Sequence, residues 1–197
     1  MLPRIRPMRL RRVKSAFDDP DYIFELKHDG FRAVAYIENR ECRLLSRNLK
    51  NLKFESLEAA LAKLPVKDAI LDGEVIGLDT NGVSRFRYLL GKKWEPMLFA
   101  FDLLWLNSED LRKYPLAGRK DRLRRLIESS ECSRIVYAQH IEGRGKQFFK
   151  EVCERDLEGI VAKRKLSFYK DDGTGWLKIK NPKYSQAEGR HKLLKKL

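Results

Sequence analysis

The sequence predicts an α+β fold in which antiparallel β-sheets are flanked by helices. Two observations carry that expectation. Short apolar runs with strand spacing outnumber the stretches with helical spacing. The strand runs fall into groups joined by tight turn signals and do not alternate one for one with helices, which argues against a doubly wound parallel sheet. The chain has 197 residues, 43% of them hydrophobic and 10% aromatic. That is enough to bury a real core in one domain, and no repeat or low-complexity linker divides it.

The elements follow in order. After a basic start, residues 17–21 read as a turn. Tyr22-Ile23-Phe24 and Ala33-Val34-Ala35-Tyr36-Ile37 bracket an Asp29-Gly30 pair, so residues 22–37 are expected to form a hairpin. Asn39-Arg40 leads to a third strand over 42–46, followed by a polar loop over 47–51. Residues 54–63 have helical spacing and stop at Pro65. A strand is expected over 69–78, a turn at Thr80-Asn81-Gly82, a short helix over 86–90, and a strongly apolar strand over 97–106 broken only by Asp102. A basic amphipathic helix over 119–128, with Leu123, Leu126 and Ile127 as its core face, precedes a strand over 135–138. A helix over 145–155 buries Phe148, Phe149 and Val152. Strands over 159–162 and 176–180 complete the set.

Lys plus Arg number 42 against 28 acids, for a net charge of +14 and a pI near 9.8. A folded domain that basic points to nucleic acid as the leading partner class. The charge is uneven. Arg4, Arg6, Arg9, Arg11, Arg12 and Lys14 fill the start without an acid. Lys178, Lys180, Lys183, Arg190, Lys192, Lys195 and Lys196 crowd the end against Glu188. These termini read either as solvated ends or as two arms that contact phosphates. Cys42, Cys132 and Cys153 form no Cys-x-x-Cys pair, which fits a reducing cytoplasm better than a disulfide framework or a zinc site. No apolar run is long enough to span a membrane, so a cytoplasmic protein with no membrane partner, monomeric in solution, is expected.

Charge also stands where strands should be apolar: Lys27 and Asp29 on the first strand, Asp72 and Glu74 on the fourth, Glu158 ahead of Gly-Ile-Val-Ala-Lys163, and Lys178 and Lys180 on the last. Residues two apart share a strand face. Each alone fits a strand with one polar face to water. Together they can converge on one groove, where cations neutralise phosphate and acids hold a metal or a sugar hydroxyl. Lys27 ends its strand among apolar residues. Desolvation disfavours an ammonium, and a neutral lysine is a nucleophile. Taken alone, Lys27 reads more readily as a surface lysine beside a turn, because the Lys-x-Asp-Gly string is short and many turns carry Asp-Gly.

The ordered set is more specific. Lys27-His28-Asp29-Gly30-Phe31-Arg32, Ser46-Arg47-Asn48, Asp72-Gly73-Glu74-Val75, Phe99-Ala100-Phe101-Asp102-Leu103-Leu104, Glu158-Gly159-Ile160-Val161-Ala162-Lys163 and Trp176-Leu177-Lys178-Ile179-Lys180 closely resemble, in order, the nucleotidyltransferase motifs of ATP-dependent DNA ligases. The nearest likeness is to the ligase modules of bacterial end-joining ligases. The resemblance implies an ATP-grasp-like core of the kind shared by DNA ligases and mRNA capping enzymes. It divides the chain into a basic arm (1–16), a nucleotidyltransferase domain (17–184) and a basic tail (185–197).

It also implies roles. Lys27 attacks the α-phosphorus of ATP and carries AMP. Glu25 helps read the adenine amino group, and Phe101 stacks on the base. Arg32 and Glu74 hold the ribose hydroxyls. Arg47 contacts phosphate, of AMP or of the nicked strand. Glu158, with Asp29, holds Mg2+ or Mn2+. Lys178 and Lys180 stabilise charge on the phosphate in transfer, and Lys163 is a further candidate for an ATP phosphate contact. On the residues themselves Phe101 also reads as core and Arg47 as a solvated loop residue. The partner implied is nicked or broken double-stranded DNA, with an end-binding protein or a separately encoded oligonucleotide-binding domain as a possible second partner. Most ligases of the family continue into an oligonucleotide-binding barrel, for which no room is expected after Lys180. An RNA ligase or capping-type enzyme of the same fold, and a nick- or end-binding module without turnover, are the alternative readings.

Overall fold

The computed structural model describes residues 1–80, 82–84, 86–90, 95–170 and 175–187. The basic tail beyond residue 187, and Asn81 of the expected turn, lie outside them. Strands β1 (Arg11–Arg12), β2 (Asp19–Leu26), β3 (Phe31–Glu38), β4 (Glu41–Ser46) and β5 (Asn51–Leu52) precede helix α1 (Glu55–Leu61). Then come β6 (Asp68–Ile76), a 3-10 turn (Phe86–Leu90), β7 (Met97–Leu106), β8 (Glu109–Asp110) and α2 (Leu116–Glu128). β9 (Ile135–Tyr137), β10 (His140–Gly143), α3 (Gly145–Glu154), β11 (Gly159–Arg164) and β12 (Trp176–Lys180) complete the described elements.

The strands make two sheets. One runs β1-β12-β11-β2-β10, and the other runs β5-β4-β3-β6-β7-β8 with β9 beside β7. Pairing is antiparallel except for β1 with β12 and β9 with β7. The expected hairpin over 22–37 does not form. β2 pairs with β10 and β11, whereas β3 pairs with β4 and β6. The chain crosses from one sheet to the other between residues 26 and 31. Gly30 belongs to that crossing by close approach. A Cβ there would lie 2.2 Å from the Val75 carbonyl oxygen. The true tight turn is Asn39-Arg40, where both residues take positive φ (55° and 59°) and join β3 to β4.

Core burial explains the apolar runs. On β3, Ala33, Ala35 and Ile37 pack with Leu57, Leu61, Leu123 and Leu126 under α1 and α2. Val34 and Tyr36, on the opposite face, pack with Ile70, Leu104, Trp176 and the N-terminal Ile5 and Met8. A strand covered on both faces reads as an unbroken apolar run. A third cluster sets Phe24, Ile160, Ala162, Leu177 and Ile179 against Val152 of α3. Phe148 and Phe149 are only half-buried there. None of the described helices is long and apolar enough to cross a membrane.

The N-terminal segment is part of this packing. The Ile5 N–H donates to the Tyr36 hydroxyl at 2.8 Å, and the Met8 N–H donates to the Tyr169 hydroxyl at 3.0 Å. β1 extends the five-stranded sheet, and the Val13 N–H continues the pairing to the Lys178 carbonyl.

Asp102, the one charge within β7, is fully buried against Arg119 of α2, also fully buried. Arg119 Nε and Nη2 donate to the carboxylate at 2.8 and 2.7 Å, and Nη1 donates to the Tyr114 and Ser167 carbonyls. Breaking a buried pair from one side leaves an uncompensated charge. Arg119→Leu is therefore expected to cost about 3–5 kcal/mol in urea denaturation. Asp102→Leu combined with Arg119→Leu should cost clearly less than the two single changes summed, and strict additivity would show that the pair is not coupled.

Candidate active site

Lys27 lies where the chain leaves one sheet for the other. Its backbone N–H donates to the Gly159 carbonyl at 2.9 Å, which fixes it beside the start of β11. Gly159 itself adopts φ +142°, and a Cβ there would fall 2.1 Å from the Ile179 carbonyl oxygen, so β11 and β12 meet closely at this point. The Lys27 side chain retains 19% exposure, and its Nζ donates to Glu158 Oε2 at 2.6 Å. Lys180 Nζ stands 3.7 Å from the other oxygen of the same carboxylate. Glu158 and Lys180 are brought together by the β11–β12 register, which sets Gly159 opposite Lys180.

A narrow apolar slot opens beside Lys27, walled by Leu10, Leu26, Phe101, Val161 and Trp176. Phe101 and Trp176 meet edge to face at 5.6 Å. Arg32 and Glu74 also line the slot. Arg32 is pinned: Nε and Nη2 donate to Asp72 at 3.0 and 2.6 Å, Nη1 donates to the Met8 carbonyl at 2.7 Å, and the guanidinium lies 5.3 Å from both aromatic rings. Those donors are committed to the protein, so Arg32 shapes the slot wall before it holds any hydroxyl.

At the inner end Glu25 is buried between two lysines. Lys120 Nζ lies 2.5 Å from one oxygen and Lys163 Nζ 2.6 Å from the other. Burial alone raises a carboxyl pKa, but the two ammonium groups outweigh it and hold Glu25 below its ordinary value. Lys163 is pushed down to about 8, chiefly by burial and further by Lys120. Its Nζ also sits 4.1 and 4.0 Å from the Phe101 and Trp176 ring centroids, both of which wall the slot. This buried cation therefore presents an N–H to the slot.

The opposite end is electropositive. Lys178 lies close enough to Lys180, Lys27 and Arg47 for their charges to add to partial burial in lowering its pKa. Arg47 and Lys178 line a second, wider groove that shares Leu10 and Arg32 with the slot.

Most residues singled out from the sequence thus fall at one place. Glu25, Lys27, Arg32, Glu74, Phe101 and Lys163 line the slot, while Glu158, Lys178, Lys180 and Arg47 form its basic mouth. Two placements differ from expectation. Lys163 is engaged at the inner, Glu25 end and interacts with Glu25, Lys120 and Asp102, not with the cations at the mouth. Asp29 is buried and accepts a hydrogen bond from the Tyr184 hydroxyl at 3.0 Å, which turns it toward the segment after β12. Lys120 was not singled out, although the buried stripe of α2 runs Leu116, Arg119, Lys120, Leu123, Leu126 and so carries two cations on its core face. The packed N-terminal segment was also missed, because its arginines mask the buried Ile5 and Met8.

The slot suits a planar base: aromatic and aliphatic walls, a carboxylate, and a buried N–H donor at the inner end. Among the described residues no group of three or more His, Cys, Asp or Glu side chains is placed to hold a metal ion. A divalent ion here would have Glu158 as its carboxylate and would draw its other ligands from phosphate and water, the usual manner of Mg2+.

Comparison with known proteins identifies the family. Residues 7–180 match the family model described as the ATP dependent DNA ligase domain. The multifunctional non-homologous end joining protein LigD of Pseudomonas aeruginosa is 32% identical over 168 residues, which cover 81% of this chain and 20% of that protein. The SPbeta prophage-derived DNA ligase-like protein LigB of Bacillus subtilis is 29% identical over 192 residues, covering 93% of this chain and 70% of the relative. The solved structure of mycobacterial DNA ligase D complexed with ATP and MES superimposes with a TM-score of 0.79 at 27% identity, over 89% of this chain and 60% of that one. The chain therefore spans a fifth of the Pseudomonas protein and three-fifths of the mycobacterial ligase chain.

His28, next to Lys27, gives a pH test of the site's packing. Its Nδ1 is shielded from solvent and meets no partner among the described residues, and its ring lies 4.4 Å from that of Phe99. Burial first, and the Lys27 charge after it, push its pKa down to about 4, against the opposing pull of Glu25. The unfolded chain takes up this proton below about pH 6.5 and the folded chain only near 4. The stability contributed is thus complete above 6.5 and lost as pH falls through the folded value, by about 3 kcal/mol in all. In urea melts from pH 7 to 4.5, His28→Leu should lose stability on acidification less steeply than the wild type. Parallel profiles would rule out His28 as the source.

Proposed function

The chain belongs to the ATP-dependent DNA ligase domain family, and from that premise we propose that it is an adenylyltransferase that charges Lys27 with AMP from ATP and passes the AMP to the 5′-phosphate of a DNA nick. The observation that carries the proposal is the position of Lys27 Nζ, at the junction between a base-shaped slot and a cation-lined mouth, hydrogen-bonded to Glu158.

The base enters the slot against Phe101, with Lys163 offering an N–H and Glu25 an acceptor at its inner end. Glu74 faces the sugar, and Arg32, braced by Asp72, closes the wall. The triphosphate then lies at the mouth, where Lys178, Lys180 and Arg47 neutralise charge that builds on the phosphoryl group. Lys27 Nζ attacks the α-phosphorus. A P–N bond forms, the P–O bond to pyrophosphate breaks, and the Glu158 carboxylate is placed to receive the proton that Lys27 must release. Mg2+ or Mn2+, with Glu158 as its protein ligand, would supply further charge neutralisation when bound. In the second step an oxygen of the nick's 5′-phosphate displaces Lys27 from the AMP phosphorus. In the third, the 3′-hydroxyl attacks the activated 5′-phosphorus and AMP leaves. Completion of all three steps makes this chain a DNA ligase. An end-binding protein or a separate oligonucleotide-binding domain would assist the DNA steps, and Asp29, turned to Tyr184, is left a structural role.

Labelled ATP with divalent metal should give a covalent protein–AMP adduct on denaturing gels, alkali-stable and acid-labile as a P–N bond is, absent in Lys27→Ala and reduced at least about 100-fold in Glu158→Gln. Wild type without an adduct would refute the proposal. Adduct discharged by nicked DNA but not by nicked RNA, and not formed from GTP, separates DNA ligation from the RNA-ligase and capping readings.

Glu25→Gln should lower adduct formation by about tenfold or more, because it also leaves Lys120 and Lys163 without their buried counter-charge. Single-turnover adenylylation kinetics read this directly. An unchanged rate would show that Glu25 does not shape the base site.

A further inference from the structure

Beside the slot runs an open groove of about 620 Å3, lined by Arg6, Arg9, Arg47, Asn48 and Lys178, with Arg32 at its floor. Among the described residues no carboxylate lines it. Arg32 is already neutralised by Asp72, so the net charge of the lining comes from Arg6, Arg9, Arg47 and Lys178. The groove shares Leu10 and Arg32 with the base slot, so the two are continuous.

The two arginines of the N-terminal segment are fixed in place. Ile5, Pro7 and Met8 are buried while Arg6 and Arg9 are exposed. The intervening backbone is held at both ends, by the Ile5 N–H to Tyr36 and by Met8, whose N–H donates to Tyr169 and whose carbonyl accepts from Arg32. A cation on a pinned backbone binds an anion without first ordering the chain. Pinned arginines facing an acid-free groove suit phosphate oxygens, which guanidinium binds in a bidentate fork.

We propose that Arg6 and Arg9, with Arg47 and Lys178, form a docking groove for the phosphodiester backbone of the nicked strand. This rests on the DNA-adenylylating reading above and extends it to a binding surface outside the nucleotide slot. The same chemistry could in principle serve the triphosphate tail of ATP. The groove's volume is more than a pyrophosphate fills, and Arg6 and Arg9 line it without lining the slot, so the strand is the better occupant.

The test uses the full chain with Arg6→Gln/Arg9→Gln and Arg6→Lys/Arg9→Lys double variants. Truncating the segment is unsuitable, because Ile5 and Met8 belong to the core. Binding of a nicked duplex is measured across a salt series, and lysyl-AMP formation is measured across ATP concentrations. The glutamine variant is expected to bind the nicked duplex about tenfold more weakly at 0.1 M salt, with the slope of log K against log salt shallower by about 2. The lysine variant should recover most of both, and both variants should form lysyl-AMP with the wild-type rate and KM for ATP. A raised KM for ATP with unchanged duplex binding assigns the groove to the triphosphate and overturns the inference. So does duplex binding that neither variant alters, or an equal loss in both variants, which marks a purely structural role. If wild type forms no lysyl-AMP, the proposed function fails and this inference with it. If wild type forms lysyl-AMP and the variants bind the duplex normally, this inference alone fails.

Discussion

A fully buried carboxylate, Asp72, ties the separate parts of the molecule together. It accepts two hydrogen bonds from Arg32 and one from the Tyr169 hydroxyl. Arg32 lies on β3 and reaches the Met8 carbonyl, while Tyr169 follows β11 and accepts from the Met8 N–H. One acid thus joins the seven-stranded sheet, the segment that follows β11 and the N-terminal segment, and it sits where β6 and β7 shift register between Asp72 and Gly73. An isolated charge at that depth would be costly, so the arrangement holds only with its partners in place. The slot wall is a consequence: the Arg32 guanidinium that neutralises Asp72 is the one that lies against Phe101 and Trp176.

Much of this was legible in the sequence, and the failures have a common cause. Strand and helix runs such as 69–78, 97–106 and 54–63 follow from periodicity, because burial of one face or two is written into local spacing. The Asp29-Gly30 pair reads as a hairpin turn, because that signal is local. Whether β3 pairs with β2 or with β4 and β6 depends on residues far along the chain. A doubly buried strand carries no alternation to name its partner. Two-residue strands such as β1 and β5 are too short to show a period at all.

The site was legible where charge interrupted an apolar run, as at Lys27, Asp72, Glu74 and Glu158. It was illegible where charge interrupted nothing visible. In Leu116–Glu128, Arg119 and Lys120 stand among other basic residues and look like a solvated face. They are in fact the buried partners of Asp102 and Glu25. Composition had the same ambiguity. The excess of +14 contains two physically different populations of cation. Arg32, Arg119, Lys120 and Lys163 are buried or nearly so and neutralise internal acids. Arg6, Arg9, Arg47 and Lys178 face an acid-free groove.

That division bears on how one lysine can serve two successive partners. In the proposed reaction Lys27 is first a nucleophile and then a leaving group, so its Nζ must reach a base-anchored nucleotide and afterwards stay accessible to a second phosphate. A lysine within the slot would meet the first need and fail the second; one on an open strand face would do the reverse. The sheet-to-sheet crossing resolves this. It holds the Lys27 backbone against Gly159 while leaving its side chain partly exposed between slot and mouth. The buried cations build the slot without competing for phosphate, because Asp72, Asp102 and Glu25 occupy them. The cations at the mouth, with less carboxylate to satisfy them, remain available to the incoming phosphates. A uniformly basic surface of the same net charge would lack that sorting, and a nucleotide phosphate could then settle wherever the potential was highest and not beside Lys27.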